Sequence, residues 1–378
     1  DGYTLWTSSQ APHLIRRLLA QSSLGVPEHR IRVIAPDVGG GFGQKGMHYP
    51  EEAAVLRASR LLERPVRWTA TRSDGFMVDI HARSHKTRAR AGFSHQGFIL
   101  AITVDTLADF GAYLSTFAAI IPTSHNATML SGLYRVPALY GRVRCVHTNT
   151  TPVDAMRGAG RSECAYAVER LIEAGARQMA IDPAELRRRN LIQPHQFPYQ
   201  TSIGPAYDSG DYPALLDKLG EQAGYDALLD EQAAARRKGE LMGIGWSCFI
   251  TSGGPGAMKF GHGDDRIPGW DSASLRVHSS GKITLSCGSH SHGQGHATAY
   301  RQVVADALGC ALEDIEFING DTAKVHAGMG TYASRSITVV GGAIALSAAR
   351  IIDKGKQLAA HLLECAGADL EFAGGRFT

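Results

Sequence analysis

The sequence predicts an α+β protein with two mixed α/β lobes. Segments with strand-like and helix-like apolar spacing alternate along the chain, and each half contains a glycine-rich loop that opens a predicted helix. The chain has 378 residues, which exceeds the length at which a single hydrophobic core keeps growing. Residues 226–238 form a polar, alanine-rich segment whose composition differs from its neighbours. We therefore predict a first lobe at residues 1–240 and a second lobe at residues 241–378.

The first lobe is predicted to begin with a strand and its turn over residues 1–9. A short buried strand at residues 31–35 leads into the first glycine loop, and the apolar spacing of residues 51–62 predicts a helix. The same patterns predict the later elements, which are strands at 65–71 and 98–107, a loop at 149–160, a helix capped by Ser162 that runs to about Met179, and helices near 183–190, 212–222 and 226–238.

The second lobe is predicted to follow a glycine-rich stretch at residues 251–269. A hairpin is expected over residues 274–287, and a helix is expected to start near Gly293. A strand ends at residues 316–319, and the spacing of residues 337–363 predicts a long helix.

Charge, cysteine spacing and hydropathy argue against nucleic-acid-binding, zinc or iron–sulfur, and membrane-spanning proteins. The 39 basic and 36 acidic residues nearly cancel to a formal charge of +3, so we predict no nucleic-acid partner. The six cysteines contain no C-x-x-C pair, which argues against a zinc site or an iron–sulfur cluster and favours buried, hydrophobe-like cysteines. We see no signal peptide and no apolar run near the roughly 18 residues that span a membrane. A cytoplasmic protein without a membrane span is expected.

The first of four candidate ligand loops is the Phe42 loop (residues 38–45), which contains three consecutive glycines. Its backbone N–H groups are free of side-chain obstruction and precede a helix, so they can hold a phosphate or face a flat cofactor. As a fingerprint of a nucleotide-binding dehydrogenase it is incomplete, because the acidic residue expected about 20 residues later is absent. A flexible glycine turn remains the alternative.

The second candidate is the Arg157 loop (residues 154–163), where two arginines lie within five residues just before a helix. Guanidinium groups bind anions in a bidentate manner, so this loop is a candidate oxyanion or phosphate site. A surface turn with solvated arginines is the alternative.

The third and fourth candidates lie in the second lobe. The His290 loop (residues 288–296) has three histidines but no carboxylate or cysteine among them, so its glycines indicate backbone contact with a ligand more than metal ligation. The Thr331 loop (residues 328–336), with residues 320–322 before it, offers amides and hydroxyls to an anion ahead of a long helix. Helix capping by Thr331, Ser334 or Ser336 is the alternative.

Taken in order, these loops carry the motifs GGGFGxK, RGAGRxE, GQGHxT and GTxxSRS. The combination resembles the large subunits of molybdenum hydroxylases, the family of xanthine dehydrogenase, aldehyde oxidase and aerobic carbon monoxide dehydrogenase, and it spans nearly the whole chain. The resemblance implies a molybdopterin cofactor, in bacteria often in the cytosine dinucleotide form. It also implies that the dithiolene of the cofactor holds the molybdenum, so no protein ligand to the metal is expected.

The resemblance also implies roles for individual residues. Gln10 matches the glutamine that hydrogen-bonds an oxygen ligand of molybdenum. Phe42 matches the residue beside the substrate channel, and Arg157 matches the arginine whose loop packs on the molybdenum centre. These three are the catalytic candidates. Further cofactor contacts are implied at Gly41, Gly43, Gly293, Gln294, Thr331, Tyr332, Ala333, Ser334 and Ser336.

Departures from the family pattern narrow the expected substrate. Xanthine oxidisers have a glutamate and an arginine where this chain has Gly46 and, approximately, His125. Carbon monoxide oxidisers carry a cysteine that bridges molybdenum to copper, but residues 155–160 contain none, and Cys164 lies beyond them. The resemblance is therefore to carbon-monoxide-dehydrogenase-like chains, and we expect hydroxylation of an aldehyde or an N-heterocycle with water as the oxygen source.

The same resemblance implies parts that lie outside this chain. The family's general base is a glutamate in a Gly-x-Gly-Glu motif a few hundred residues past the Thr331 loop. Partners are implied as well: a [2Fe–2S] small subunit, an FAD medium subunit and the remainder of the large subunit, in a dimer of heterotrimers. The chain, as a fragment or as one part of a split subunit, is then expected to be catalytically incomplete alone. The alternative from another class is a folded, non-catalytic assembly module that binds no cofactor.

Overall fold

The structure is a computed structural model that describes residues 2–251, 253–254, 258–259, 266–267 and 269–378. Much of the glycine-rich stretch predicted at 251–269 therefore lies outside the described residues. The helices described are α1 (Pro12–Leu18), α2 (Pro50–Leu62), α3 (Arg72–Val78), α4 (Arg161–Met179), α5 (Pro183–Asn190), α6 (Tyr212–Ala223), α7 (Tyr225–Arg237), α8 (His296–Leu308) and α9 (Gly341–Leu363). The strands described are β1 (Tyr3–Trp6), β2 (Ile31–Ile34), β3 (His85–Phe93), β4 (Ile99–Asp109), β5 (Ala138–Val146), β6 (Tyr199–Gln200), β7 (Ala206–Tyr207), β8 (Met258–Lys259), β9 (Arg266–Ile267), β10 (Ala273–Val277), β11 (Ile283–Cys287), β12 (Ile315–Ile318), β13 (Phe372–Ala373) and β14 (Arg376–Phe377).

The chain divides into two compact units. Unit 1 comprises Asp1–Met77 and Ser252–Thr378, and unit 2 comprises Val78–Thr251. Each unit mixes helices and sheets, so the predicted α+β class is confirmed. The division into lobes at residue 240 stays a prediction.

Unit 1 joins two distant stretches of sequence around shared strands and loops. Strand β1 pairs in parallel with β2, and strand β11 lies between an antiparallel β10 and a parallel β12. The end of β2 meets the loop after β12, where the Ala35 amide donates to the Gly320 carbonyl at 2.7 Å. Helices α8 and α9 cover the β10–β12 sheet and bury Tyr300, Val304 and Ile344.

Unit 2 is built on the three-stranded sheet β3–β4–β5. The central strand β4 is antiparallel to β3 and parallel to β5. Its alternating apolar residues, such as Ile102 and Val104, point inward as the two-residue period of a strand requires. They join Val168 and Ile172 of helix α4 in one hydrophobic core.

The strand predicted at residues 65–71 is wrong. These residues continue from the end of α2 to α3 without regular structure, and all but Val66 are exposed. Apolar and β-branched residues favour a strand only where a neighbouring strand or a core supports them. No neighbouring strand pairs with this segment in the described part of the chain.

Two predicted helix starts are also corrected. Helix α4 begins at Arg161, so Ser162 is inside the helix, and the N-cap is Gly160 with φ of 86°. A Cβ at Gly160 would lie 2.5 Å from the Ile121 carbonyl oxygen, which explains why glycine takes the capping position. Helix α8 begins at His296 rather than near Gly293, because Gly293 and Gly295 both have positive φ.

Helix α9 and the preceding turn form the stretch Ser336–Leu363, which is long and apolar enough to cross a membrane, although the sequence analysis found no apolar run of that length. Among the described residues, no other helix has both the length and the apolar composition of a membrane span. One face of α9 packs in the core of unit 1, where Ile344 and Ala348 are buried.

The sequence analysis expects buried cysteines, and only some of the six are buried. Cys164 and Cys287 are buried, and burial raises the pKa of each thiol to about 12. Cys145 and Cys365, in contrast, are exposed. All six cysteines are free thiols.

Candidate functional site

Gln10 connects two of the candidate loops in unit 1. It follows β1, is 2% exposed, and donates through Nε2 to the Thr331 carbonyl oxygen at 2.8 Å. Its Oε1 accepts from the Gly43 amide at 2.9 Å. A backbone hydrogen bond also joins the two residues, since the Thr331 amide donates to the Gln10 carbonyl at 3.0 Å. The Phe42 loop and the Thr331 loop are therefore held together by one buried side chain.

Glycine is required at two positions of this arrangement. A Cβ at Gly41 would lie 2.6 Å from three atoms of the Gln10 side chain, and a Cβ at Gly330 would lie 2.6 Å from the Ala11 side chain. Real Cβ atoms do not approach so closely, so a side chain at either position would displace its neighbour. The Phe42 loop thus packs against Gln10 more closely than any residue with a side chain would allow.

Phe42 itself is exposed at the tip of its loop. It has φ of 56°, a left-handed conformation that bulky residues rarely adopt, and its side chain is 59% exposed. Strained backbone of this kind clusters at binding and catalytic sites, where the surroundings hold it in place.

The Thr331 loop contains a second strained stretch. Ala333 and Ser334 have φ of 50° and 54°, and the Ser334 carbonyl accepts from the Gly254 amide at 2.9 Å. Successive N–H groups in such turns form concavities that bind anions. The Thr331 hydroxyl is used within the protein, because it donates to the His290 carbonyl at 2.9 Å.

The sequence analysis missed Arg335, although it lies inside the quoted motif. Its guanidinium donates to the Asp271 carboxylate at 2.6 Å and to the Gly330 carbonyl at 2.8 Å, and the two charged side chains are 1% and 0% exposed. Burial raises the pKa of Asp271, and the hydrogen bond from Arg335 opposes that rise. The arginine also lies over the Tyr332 ring, 5.5 Å from its centroid. Arg335 therefore holds the Thr331 loop in its strained shape.

The His290 loop presents backbone to open space. A Cβ built at Gly293 or Gly295 would meet no atom within 4 Å. The Gln294 side chain folds back on its own loop, with Oε1 accepting from the His292 amide at 2.7 Å and Nε2 lying 2.9 Å from His292 Nε2. The accessible donors of this loop are therefore the glycine amides more than the Gln294 side chain.

Three buried histidines accompany this loop. Burial, then repulsion from neighbouring imidazoles, lowers the pKa values of His292 and His296 to about 4. Burial lowers the pKa of His290 as well, and its Nδ1 lies 2.8 Å from Asn319 Oδ1. Among the described side chains, His296 Nδ1 is buried with no hydrogen-bond partner. His290 Nε2 is likewise buried without a partner, and the lowered pKa values keep the imidazoles neutral near pH 7.

Arg157 belongs to unit 2. The residue is exposed, and its carbonyl accepts from the Arg83 guanidinium. The loop turns sharply at Gly158 and Ala159, with φ of 106° and 39°. His125, at the end of the helical segment Ile121–His125, contacts this loop, with its Nδ1 3.3 Å from the Ala159 carbonyl oxygen.

The donors in unit 1 fit an anionic, flat cofactor. They are backbone amides, hydroxyls and one carboxamide, and the described residues contain no group of three histidine, cysteine, aspartate or glutamate side chains that could hold a metal ion. Closely packed glycines at 41 and 330 and open glycines at 293 and 295 provide the flat, side-chain-free surface. Of the predicted residues, Gln10 contacts Gly41, Gly43 and Thr331. His290 of the third candidate loop supports Thr331 through its carbonyl, whereas Arg335 and Asp271 are supporting residues that the sequence analysis did not single out.

The chain is similar to several known proteins. The carbon monoxide dehydrogenase large chain of Hydrogenophaga pseudoflava is 38% identical over 99% of this chain. The nicotine 6-hydroxylase large subunit of Paenarthrobacter nicotinovorans is 34% identical over 98% of it. The structure of quinoline 2-oxidoreductase from Pseudomonas putida 86 covers 100% of this chain at 35% identity, with a TM-score of 0.92. The chain spans about half the length of these relatives, with 47%, 45% and 48% of each covered.

Two family models account for most of the chain. Both are described as a molybdopterin cofactor-binding domain, and they match residues 1–191 and 218–378. The first contains Gln10, Phe42 and Arg157, and the second contains the His290 and Thr331 loops. The chain belongs to the molybdopterin cofactor-binding domain family of the molybdenum hydroxylases.

Proposed function

We propose that this chain is the molybdopterin-binding part of a carbon-monoxide-dehydrogenase-like molybdenum hydroxylase. The longer protein would hydroxylate an N-heterocycle or an aldehyde, with water as the oxygen source. The names of two relatives refer to N-heterocycles, nicotine and quinoline, which favours that substrate class. The absence of a cysteine from residues 155–160 argues against carbon monoxide as the substrate.

One observation carries this proposal. Gln10 joins the Phe42 and Thr331 loops through hydrogen bonds of 2.9 Å and 2.8 Å, and Gly41 leaves no room for a Cβ beside it. Because Oε1 accepts from the Gly43 amide, the carboxamide has a defined orientation. The Nε2 group then has a second hydrogen to offer an acceptor on the cofactor.

When bound, the molybdenum cofactor would supply the two-electron oxidation for a hydroxylation whose oxygen atom comes from water. The residues of this chain bind and orient it. The amides of Gly293, Ala333 and Ser334 would contact the pterin and its phosphates, as would Gln294, Tyr332 and Ser336. The exposed Phe42 ring would exclude water beside the substrate, and the Arg157 cation would stabilise negative charge.

The remaining assignments extend the same proposal. We propose the cytosine dinucleotide form of the cofactor, because the chain is similar to bacterial large subunits. A [2Fe–2S] subunit and an FAD subunit would accept the electrons, in a cytoplasmic dimer of heterotrimers that includes the rest of the large subunit. The general base would lie in that remaining part, since the relatives are about twice as long.

Turnover in labelled water tests the proposed reaction. The native complex, isolated from its host through an affinity tag on this chain, would be given quinoline, nicotine or benzaldehyde in ¹⁸O-water with an artificial electron acceptor. Mass spectrometry should find ¹⁸O in the hydroxylated product of at least one of them. A product whose new oxygen comes from O₂, or a molybdenum-replete complex that oxidises none of the three, would contradict the proposal.

A further inference from the structure

The three-stranded sheet of unit 2 has an outer face that is rich in cationic side chains. Along β4, Ile102 and Val104 point into the core, so the alternate residues, such as Thr103 and Asp105, lie on the opposite face. Residues directly opposite each other in neighbouring strands share a face. The strand register therefore places around Asp105 a set of side chains that we call the basic face: Lys86, Arg88 and Arg90 of β3, and Tyr140, Arg142 and Arg144 of β5.

The basic face is accessible to a partner. All five of its cationic residues are exposed, and the side chains of Arg142 and Arg144 are 51% and 61% exposed. The aromatic residue among them, Tyr140, is 59% exposed. Within the described part of the chain, the three cations of β3 form no ion pair. Their charges are therefore open to carboxylates from outside.

The chain itself neutralises only part of this charge. Arg142 donates through Nε to the Asp105 carboxylate at 3.1 Å, and Arg144 lies 3.6 Å from the other carboxylate oxygen. The hydrogen bond from Arg142 holds the pKa of Asp105 below its usual range. Asp109, which ends β4, is the second carboxylate of this face, and its Oδ1 accepts from the Thr148 hydroxyl at 2.8 Å. Five cations and two carboxylates leave three positive charges here, as many as the net charge of +3 on the whole chain.

The make-up of the basic face favours a protein surface over a nucleic acid as its partner. Arginine and tyrosine are enriched where proteins meet, and arginine binds carboxylates in a bidentate manner. Asp105 lies at the centre of the face with its side chain 30% exposed, where it would repel the phosphates of a nucleic acid. Its oxygens can instead accept from the amides and hydroxyls of a protein.

We propose that the basic face is a docking surface for an acidic face of a different polypeptide. Carboxylates of that partner pair with Arg88 and Arg90, and Tyr140 packs against its apolar part. Neighbouring strands lie about 4.8 Å apart and alternate residues of a strand about 7 Å apart, so the partner needs carboxylates at similar spacings. A second copy of this chain does not fit, because a twofold contact would place the same cations against each other. The inference depends on neither the cofactor nor the substrate.

A zero-length cross-link from Lys86 tests whether an acidic protein lies on this face. The protein would be isolated from its host through an affinity tag on this chain, and a carbodiimide would join amines to carboxylates in direct contact. Mass spectrometry should find Lys86 joined to an aspartate or glutamate of a different polypeptide. Lys218, which is exposed on α6 of the same unit, is the control and should not be joined to that polypeptide. Lys86 joined to a second copy of this chain, or to no other polypeptide, would overturn the inference.

Charge reversal on β3 tests the electrostatic attraction. Arg88→Glu/Arg90→Glu changes two exposed side chains and keeps the pair between Arg142 and Asp105. The dissociation constant for the cross-linked polypeptide, measured by biolayer interferometry, should rise about tenfold or more, because like charges then face each other. For the wild type it should also rise between about 50 mM and about 300 mM NaCl, since salt screens exposed charges.

A second double variant controls for the change in net charge. Arg236→Glu/Arg237→Glu reverses two exposed charges at the end of α7 and should leave the dissociation constant within about twofold of the wild type. Thermal unfolding of both variants should match the wild type, which shows that both fold. Unchanged binding by the β3 variant, equal losses in the two variants, or a DNA duplex that the wild type binds and the β3 variant does not, would overturn the inference.

Discussion

Gln10 hydrogen-bonds to Thr331, which lies 321 residues further along the chain. The sequence predicted both residues as cofactor contacts, but only through the motifs of a known family. Nothing in residues 7–10 alone indicates a buried carboxamide with two distant backbone partners. Such a role depends on which loops the fold brings together, and local apolar spacing carries no information about that.

Gly41 provides the sharpest test at the level of a single residue. In Gly41→Ala the new Cβ would collide with Gln10 at 2.6 Å, so the carboxamide must move away from Gly43. The molybdenum content of the native complex should fall by about tenfold or more, the usual effect of disturbing a residue that orients a metal site. Elemental analysis of the purified variant measures it.

Gly39→Ala is the matched control for that variant. Gly39 is in the same loop, but a Cβ there would meet nothing within 4 Å. Its molybdenum content should match the wild type. Full retention of molybdenum in Gly41→Ala would show that the close packing against Gln10 does not shape the site.

The buried histidines predict a dependence of stability on pH. His292 and His296 have pKa values near 4 in the folded protein, because burial disfavours their charged forms. The unfolded chain binds more protons between about pH 4 and about pH 6.5, so the free energy of unfolding should fall as the pH is lowered through this window. Urea denaturation at several pH values measures how the free energy of unfolding changes with pH.

A variant of His296 separates this effect from general acid denaturation. His296→Gln should make the loss of stability between about pH 6.5 and about pH 4 less steep, since one group no longer titrates. His361→Gln, at an exposed position of α9, should leave the slope unchanged. If both variants lose stability with falling pH as steeply as each other, the buried histidines do not cause the pH dependence.

At the scale of elements, helices α4 and α5 are joined by a buried polar network. Arg187 of α5 is 0% exposed, and its Nε donates to the Glu169 carboxylate of α4 at 3.0 Å. The Tyr134 hydroxyl donates to the same carboxylate at 2.5 Å. The spacing of apolar residues predicted both helices, apart from the start of α4. It could not predict this network, because charged residues on a short helix are ordinarily assigned to the surface.

Removal of the Arg187 charge should be strongly destabilising. Arg187→Met leaves the Glu169 carboxylate buried without its cation, which costs about 3–5 kcal/mol in comparable buried pairs. Arg188→Met, on the same helix, removes a guanidinium whose side chain is 43% exposed and should cost at most about 1 kcal/mol. Chemical denaturation measures the free energy of unfolding of both variants. If Arg187→Met and Arg188→Met lose the same amount of stability, the buried network has no special role.

For the whole molecule, the α+β class and the family were both predicted and are confirmed. The composition of unit 1 was not predicted. It combines both ends of the chain, and the connection includes the Arg32 guanidinium, which donates to the Asp321 carboxylate at 3.0 Å across a separation of 289 residues. A change in composition marks a linker, but it cannot reveal that the sequence returns to an earlier unit.

The most direct test of the central claim is the cofactor content of the native complex. Elemental analysis for molybdenum and a fluorescence assay for oxidised pterin should each find about one equivalent per copy of this chain. Gly41→Ala should lose both, and Gly39→Ala should keep both. A folded, intact wild-type complex that contains neither molybdenum nor pterin would contradict the account.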